Sequence, residues 1–454
     1  MKYKILACVI IAVYFFQTFF ISFGGIGSDS LSYFGISSDL PHPETNLFPL
    51  GYPVLLKLVY LFTKDYFWAS KIINLLCTVI ILLFSYCKKF YFRETVLVFA
   101  GKTFYFAFFG AMSEGPFIFF MYFLLYFLHQ VFSGNKLYLN AAAAAVMLIF
   151  MFLVRYSGIY IYVAAVLFTC FFFLRLKNTV YFKALLLFLI ISGLGIGGYL
   201  LLNYLHFGSL TGEGLRGEAG DHSLRQLVRN IFGLVNAVDP FIAIKPISGS
   251  FGSMAFQSVV FIIDLFIFRY LLQYYKRAKD TSLYYFHNLL WVIAGIYGFA
   301  LLISGWFQQI EELGVRLMAT SNFCLFFSFL ILYFQKNTSD KLIWRVSCFF
   351  FCFLVLYGLK DPGNYLENKK TIEPQMAKFK DKKYIYNDEK NMVTVTTYYF
   401  PLLDKSFKYI HTNNQKGKLK ESIAGTINPK IKWIKTDTVR DKSKVLYTSQ
   451  LDLR

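Results

Sequence analysis

The stretch "AMSEGPFIFFMYFLLYFL" (111–128) shows the pattern that decides the fold. Two polar residues, Ser113 and Glu114, come directly before an apolar run that continues to about residue 132. A run of ~18 apolar residues is long enough to cross the hydrocarbon core of a bilayer as a helix. Strands of a membrane β-barrel would instead alternate between apolar and polar residues. The stretch therefore predicts a polar turn that leads into a transmembrane helix.

Similar apolar runs recur along most of the 454 residues, of which 57% are hydrophobic and 20% aromatic. A soluble domain does not need this much apolar surface. We therefore predict an all-α polytopic membrane protein with about 11 transmembrane helices. The predicted spans are 5–24, 67–87, 94–112, 115–132, 138–154, 157–174, 182–204, 252–273, 284–304, 317–334 and 341–358.

Two further helices are predicted between the first two spans, on the outer face of the membrane. The segment "SLSYFGISSDL" (30–40) fits a short amphipathic helix. Residues Phe48 to Phe62 are apolar, but they include Pro49 and Pro53 and are too short to span a bilayer. They predict a juxtamembrane or re-entrant helix.

Composition changes sharply near residue 360, where long apolar runs give way to Lys, Asn, Asp and Thr. We predict a transmembrane domain over 1–359 and a C-terminal extracytoplasmic module over 360–454, either α+β or β-rich. The segments "KKYIYNDEKNMVTVTTYYF" (382–400) and "INPKIKWIKTD" (427–437) alternate as strands do.

The net charge of +20 has an explanation that needs no nucleic acid. Lys and Arg concentrate in alternate loops, which by the positive-inside rule lie in the cytoplasm. These loops include the N-terminal Lys2 and Lys4, then Lys88, Lys89 and Arg93, and later Lys336 and Lys341. The prediction is an integral protein of a bacterial inner (plasma) membrane, with a cytoplasmic N-terminus and, after an odd number of spans, an outer C-terminal tail. The seven cysteines form no CxxC pair, which argues against a zinc site or a disulfide framework.

Four ionisable residues fall on the predicted outer side. Asp29 follows the first span, Glu114 and Arg155 lie in short turns, and Arg316 precedes a late span. Charged groups at membrane depth usually face a polar cavity or a partner, so together they predict a site for a phosphate and a hydroxyl. Three simpler interpretations stay open. The arginines could extend to lipid headgroups, Glu114 could be an ordinary turn residue, and Asp29 could cap the following helix.

The segment "SDSLSYFGISSDL" (28–40) resembles the first outer loop of polytopic C-type superfold glycosyltransferases. This group includes the protein O-mannosyltransferases and the lipid A aminoarabinose transferases, which use dolichyl- or polyprenyl-phosphate sugars. Asp29 and Tyr33 match that loop, while Ser30 stands where the group often has a second acid. Weaker similarities follow in the same order along the chain. They are "FPLGYPVLLKLVYLFTKDYFWASKIINLLCTVI" (48–80), "AMSEGPFIFFMYFLLYFL" (111–128), "MFLVRYSGIYIYVAAVL" (151–167), "LLNYLHFGSLTGEG" (201–214) and "RLMAT" (316–320).

The resemblance implies transfer of a hexose or pentose from a polyprenyl-phosphate donor to a hydroxyl of a glycan, lipid or protein acceptor. Asp29 would then be the general base, which an attacking hydroxyl requires. Arg155 and Arg316 would bind the phosphate, since the guanidinium fork suits phosphate oxygens. Glu114 would orient a sugar or an arginine, and Tyr33 would contact the sugar. Reserve phosphate ligands in the long outer loop are Arg216, Arg225 and Arg229.

No cofactor is assigned from the sequence, and a divalent metal is the alternative that stays open. Some members of the group use a divalent metal, and Asp39 and Glu44 would have to compensate for Ser30 in such a site. Alternative functions are a polymerase or ligase of lipid-linked glycans and a polytopic transporter or flippase. Transporters favour internal repeats and polar groups at mid-bilayer. Lys102, inside the third predicted span, is predicted to extend to an interface or to pair within the bundle.

Overall fold

A computed structural model describes residues 1–21, 24–26, 28–43, 45–176, 179–212, 224–243, 251–307, 313–337, 339–360, 385–387, 391–400 and 405–413. The described part of residues 1–360 is dominated by α-helices. They are α1 Lys2–Phe19, α2 Ser28–Asp39, α3 Gly51–Thr63, α4 Tyr66–Cys87, α5 Phe92–Phe99, α6 Lys102–Phe109, α7 Glu114–Phe132, α8 Leu137–Val154, α9 Gly158–Leu176, α10 Thr179–Phe207, α11 Leu224–Leu234, α12 Phe251–Lys276, α13 Tyr284–Phe307, α14 Ala319–Lys336 and α15 Lys341–Leu359. Short 3₁₀ turns follow α11 at Val235–Ala237 and α12 at Arg277–Asp280.

Eight of the described helices are long and apolar enough to cross a membrane: α1, α4, α7, α8, α10, α12, α13 and α15. This confirms an all-α polytopic membrane protein. The other three predicted spans correspond to α9, to α14 and to the pair α5 and α6. The total of 11 stays a prediction.

Strands occur only after residue 384 in the described part of the chain. They are β1 Ile385–Asn387, β2 Asn391–Phe400 and β3 Lys405–Asn413. β3 lies between the other two strands, parallel to β1 and antiparallel to β2. β1 and β2 fall within the predicted strand region 382–400, whereas the predicted strand region 427–437 lies outside the described residues. An independent C-terminal module stays a prediction.

The predicted outer helices are present as α2 and α3. Asp65 begins the next helix, α4, because its carboxylate accepts the backbone N–H groups of Phe67 at 2.8 Å and Trp68 at 3.4 Å. Such a side-chain cap compensates for the absent intrahelical partners of a helix N-terminus. Asp65 thereby fixes where α3 gives way to α4. Two polar residues of α4, Lys71 and Asn74, support the candidate site described below.

Small residues let the central helices approach closely. α8 packs against α7 and α10. Its buried face contains Ala141, Ala144 and Ala145. In a bilayer, where lipid is as apolar as Leu, close van der Waals packing of small residues is a main driving force for helix association. This packing holds the turns at the ends of α7 and α8 next to each other.

The third predicted span is broken into two helices. α5 ends at Phe99 and α6 begins at Lys102, with Ala100 and Gly101 between them. The backbone N–H of Lys102 donates to Pro240 O at 2.9 Å. A Cβ on Gly101 would lie 2.9 Å from the same carbonyl, so only glycine allows this approach without a shift. The segment after α11 therefore enters the bundle at the break.

Candidate functional site

Glu114 is the first residue of α7, and its position depends on Asn74 of α4. The Asn74 amide donates to the carbonyls of Phe108 at 2.8 Å and Gly110 at 2.9 Å. These bonds fix the turn between α6 and α7. A Cβ on Gly115 would overlap Asn74 Oδ1. The glycine next to Glu114 is therefore required for α4 and α7 to meet here.

Two arginines converge on one oxygen of Glu114. Arg155 Nη1 lies 2.5 Å from Oε1, and Arg316 Nε lies 3.2 Å from the same atom. The Glu114 side chain is only 6% exposed, against 18% for Arg155 and 23% for Arg316. The second oxygen, Oε2, is buried and has no hydrogen-bond partner within the described ranges. The three residues carry a net charge of +1, so the cluster can accept an anion at its arginine-lined side.

A hydrogen-bonded turn holds Arg155 in place. The next residue, Tyr156, donates to Asn46 O at 2.9 Å and accepts from the Asn203 amide at 3.0 Å. The N–H of Gly212 donates to the same Asn46 carbonyl at 3.0 Å. Three segments distant in sequence, around residues 46, 156 and 203–212, thus meet behind Arg155, and they restrict where its guanidinium can point.

Tyr33 of α2 lies beside this cluster. Its hydroxyl is 2.8 Å from the Ser113 hydroxyl, one residue before Glu114. Burial raises the pKa of Tyr33 to about 12, opposed by the charge of Arg155 and reinforced by Asp29 and Glu114. The phenol is therefore protonated at neutral pH and can donate a hydrogen bond.

Asp29 lies in the first turn of α2, four residues before Tyr33 and hence on the same helix face. It is close enough to act electrostatically on the Tyr33 hydroxyl. Its side chain is partly exposed. Among the described residues, no hydrogen bond or ion pair engages its carboxylate. Ser30, in the position of a second acid, is buried and donates to the Met112 sulfur at 3.4 Å.

The structure brings all five predicted site residues to one end of the bundle. Arg155 and Arg316 turn inward to Glu114 instead of extending to headgroups. Of the reserve residues, Arg229 lies on α11 and is partly buried. Arg216, Glu44 and the side chains of Arg225 and Asp39 lie outside the described residues. Within the described ranges, no three His, Cys, Asp or Glu side chains could hold a metal ion together, and all seven cysteines are free.

Sequence reasoning missed several polar residues that the structure shows to be important. Lys71 donates to the carbonyls of Gly24 and Phe109. It thereby links α4 to the segment between α1 and α2 and to the C-terminal end of α6. Asn322 of α14 holds the segment that enters the bundle near α6. Asp264 of α12 interacts with Asp239 of that segment. Each is a polar residue inside an apolar run, which is the signal that could have identified it.

The fold and the cluster define a helical polytopic membrane protein with a buried, charged site where several turns meet. Comparison with protein-family models and with curated protein sequences finds no match to this chain.

Proposed function

We propose that this chain is an integral-membrane glycosyltransferase of the bacterial inner membrane. It would move a sugar from a polyprenyl-phosphate donor to an acceptor hydroxyl on the outer face. The observation that carries the proposal is the pair of arginines on Glu114, with Tyr33 and the Asp29 carboxylate beside them. Among the described residues, no hydrogen bond or ion pair engages that carboxylate. The acceptor would be a cell-envelope glycan, a lipid or a protein, and no nucleic acid is involved.

The chemistry divides between the two halves of the cluster. Asp29 takes the proton from the acceptor hydroxyl while that oxygen attacks the anomeric carbon. The bond from that carbon to the phosphate oxygen breaks, and the lipid phosphate leaves with the electron pair. Arg155 and Arg316 neutralise the phosphate. Glu114 keeps the two guanidinium groups together, since their mutual repulsion would otherwise separate them.

The test compares envelope glycans, lipids and proteins by mass spectrometry in cells that lack the gene or carry one of its variants. The intact gene should restore one sugar on one acceptor. Asp29→Asn should reduce that transfer by about 100-fold or more, the usual contribution of a general base. Asp280→Asn is the matched control, because Asp280 is exposed in a 3₁₀ turn far along the chain from the cluster. Full transfer by Asp29→Asn would remove Asp29 from the mechanism.

A glycan polymerase or ligase would use similar groups, and it would be recognised in the same spectra by loss of chain length instead of loss of one sugar. A transporter or flippase is favoured by one observation, the buried charges of Lys102, Asp239 and Asp264 at a broken helix. Impermeant periodate separates this candidate from a transferase. Without the gene, a transferase leaves its lipid-linked sugar unused and accessible on the outer face, whereas a flippase leaves it protected inside.

A further inference from the structure

A second group of charged residues lies inside the bundle, apart from the Glu114 cluster. Lys102 begins α6, Asp239 follows the 3₁₀ turn after α11, and Asp264 lies on α12. Their relative exposures are 0%, 0% and 1%. Asp264 is 13 residues from the start of α12 and 12 from its end. At 1.5 Å per residue this is roughly 18–20 Å from either end, close to the middle of a membrane span.

The Lys102 ammonium group and one carboxylate oxygen of Asp239, Oδ1, both have hydrogen-bond partners. Lys102 Nζ donates to Ile242 O and, at 3.2 Å, to Asn236 Oδ1. Asp239 Oδ1 accepts the backbone N–H groups of Phe241 at 2.6 Å and Ile242 at 3.0 Å. These bonds fold residues 236–242 around the ammonium group.

The remaining carboxylate oxygens have no such partner. Within the described part of the chain, Asp239 Oδ2 and both oxygens of Asp264 are buried without a hydrogen bond. The Asp239 and Asp264 side chains are nevertheless close enough to interact with each other directly, and Lys102 is close enough to attract Asp264. Two carboxylates cannot bond to each other, because neither has a donor. A positively charged group is therefore needed between the two carboxylates.

The charge of the group leads to the same conclusion. Lys102 supplies one positive charge and the two aspartates supply two negative charges, so the net charge is −1. A lone charge in the apolar interior of a membrane is strongly unfavourable, and two adjacent carboxylates repel each other. We propose that Asp239 and Asp264 bind one monovalent cation, either a proton shared by their carboxylate oxygens or an alkali metal ion, which makes the group neutral.

Cation binding at this place would join two parts of the bundle. Asp264 belongs to α12, whereas Asp239 belongs to the segment whose Pro240 carbonyl accepts from the break between α5 and α6. The cation therefore links α12 to that break. This site does not depend on the proposed glycosyl transfer, and it can be tested without any activity.

The experiment is thermal unfolding of the full-length protein in detergent. Tm is measured between pH 6 and 9 in N-methylglucamine buffer, and again with Na⁺, K⁺ or Li⁺ at constant ionic strength. Ligands that bind only the folded state raise Tm with concentration. For the wild type we expect a Tm several degrees higher at low pH if the cation is a proton, or in one of the alkali salts if it is a metal ion.

The informative variant is Asp264→Asn, which removes one negative charge and whose amide can donate to Asp239 Oδ2. Its Tm should equal or exceed that of the loaded wild type and should no longer respond to the cation. Asp280→Asn, which removes an exposed carboxylate, should respond as the wild type does. Equal responses of the wild type and Asp264→Asn to pH and to every salt would overturn the proposal.

A second measurement keeps the proposal testable if Asp264→Asn does not accumulate. An apolar carbodiimide modifies buried carboxyl groups in their protonated form, and the modified residue is located by mass spectrometry. Modification of wild-type Asp239 or Asp264 should fall as the pH rises or as the bound alkali ion is added. Modification that is independent of both would contradict cation binding.

Discussion

At the scale of single residues, Glu114 is the centre of the charged cluster because both arginines contact its Oε1. Glu114→Gln would leave two guanidinium groups side by side without a counter-charge. We expect a loss of ~3–5 kcal/mol in the free energy of unfolding, the usual result of removing one partner from a buried ion pair. Thermal unfolding in detergent measures the change.

Arg316→Gln is the comparison for that variant. Its contact with Glu114 is longer and its side chain is more exposed than that of Arg155, so solvent weakens its contribution. A loss of about 1 kcal/mol is expected. If Glu114→Gln were no less stable than Arg316→Gln, the ion pairs would not hold the cluster together.

At the scale of secondary-structure elements, the contact between α4 and α7 depends on Gly115, because glycine has no side chain. In the interior of a helix, alanine is normally more favourable than glycine by ~1 kcal/mol. At Gly115, however, the added methyl group would overlap Asn74 Oδ1. The Asn74 side chain cannot easily move away, because its Nδ2 amide already donates to the turn before α7. Gly115→Ala should therefore destabilise the protein by ~1–3 kcal/mol, the range for overpacking.

Gly198→Ala provides the matched control. Gly198 lies in α10 with open space around the position of a Cβ, and it is exposed on the helix surface. The substitution should leave Tm unchanged or raise it, because only the helix propensity changes. A similar effect of both substitutions would show that Gly115 is not selected for close packing.

A second element, the segment after α11, depends on Asn322 of α14. The Asn322 amide donates to the carbonyls of Ala237 at 3.1 Å and Asp239 at 3.0 Å, and its oxygen accepts from Thr103 at 2.6 Å. Asn322→Ala leaves these buried groups without partners, at a cost of ~1–3 kcal/mol for each. Hydrogen exchange measured by mass spectrometry should become faster over 235–243.

Gln335→Ala is the control on the same helix. Gln335 is exposed near the other end of α14, so its removal should not change exchange in that segment. Unchanged exchange in Asn322→Ala would mean that the segment is held by Lys102 and the backbone of α6 alone.

At the scale of the whole molecule, apolar run length predicts the helices well and their interruptions poorly. Hydrophobicity over ~20 residues reports what lipid requires, so α4, α7, α8 and α10 lie where the sequence places them. The break before Lys102 depends on a carbonyl from residue 240, and no local pattern contains that contact. For the same reason, the sequence could assign Glu114, Arg155 and Arg316 to one side of the membrane. It could not predict that both arginines contact the same oxygen of Glu114.

Contacts at the two ends of the bundle concern α14, one of the three segments that hydropathy alone leaves open. At one end, Lys2 pairs with Asp340 at 2.7 Å, just beyond the C-terminus of α14. A cavity of about 870 Å³ there is lined by Tyr3, Lys89 and Gln335. At the other end, Arg316, which precedes α14, contacts Glu114. α14 therefore connects the two ends. An 11-span chain would have this arrangement, and the total of 11 stays a prediction.

The side on which the tail lies then decides whether the span count is even or odd, because eight spans would return the tail to the side of the N-terminus and 11 would not. We expect Ser449→Cys, in a chain without other cysteines, to react with an impermeant maleimide in intact cells. The native Cys87 is exposed at the end of α4, next to the basic residues assigned to the cytoplasm. Kept as the only cysteine, it should react only after permeabilisation. A tail that reacts only after permeabilisation would require an even number of spans, and either one or all three of the segments α5–α6, α9 and α14 would then not cross the membrane.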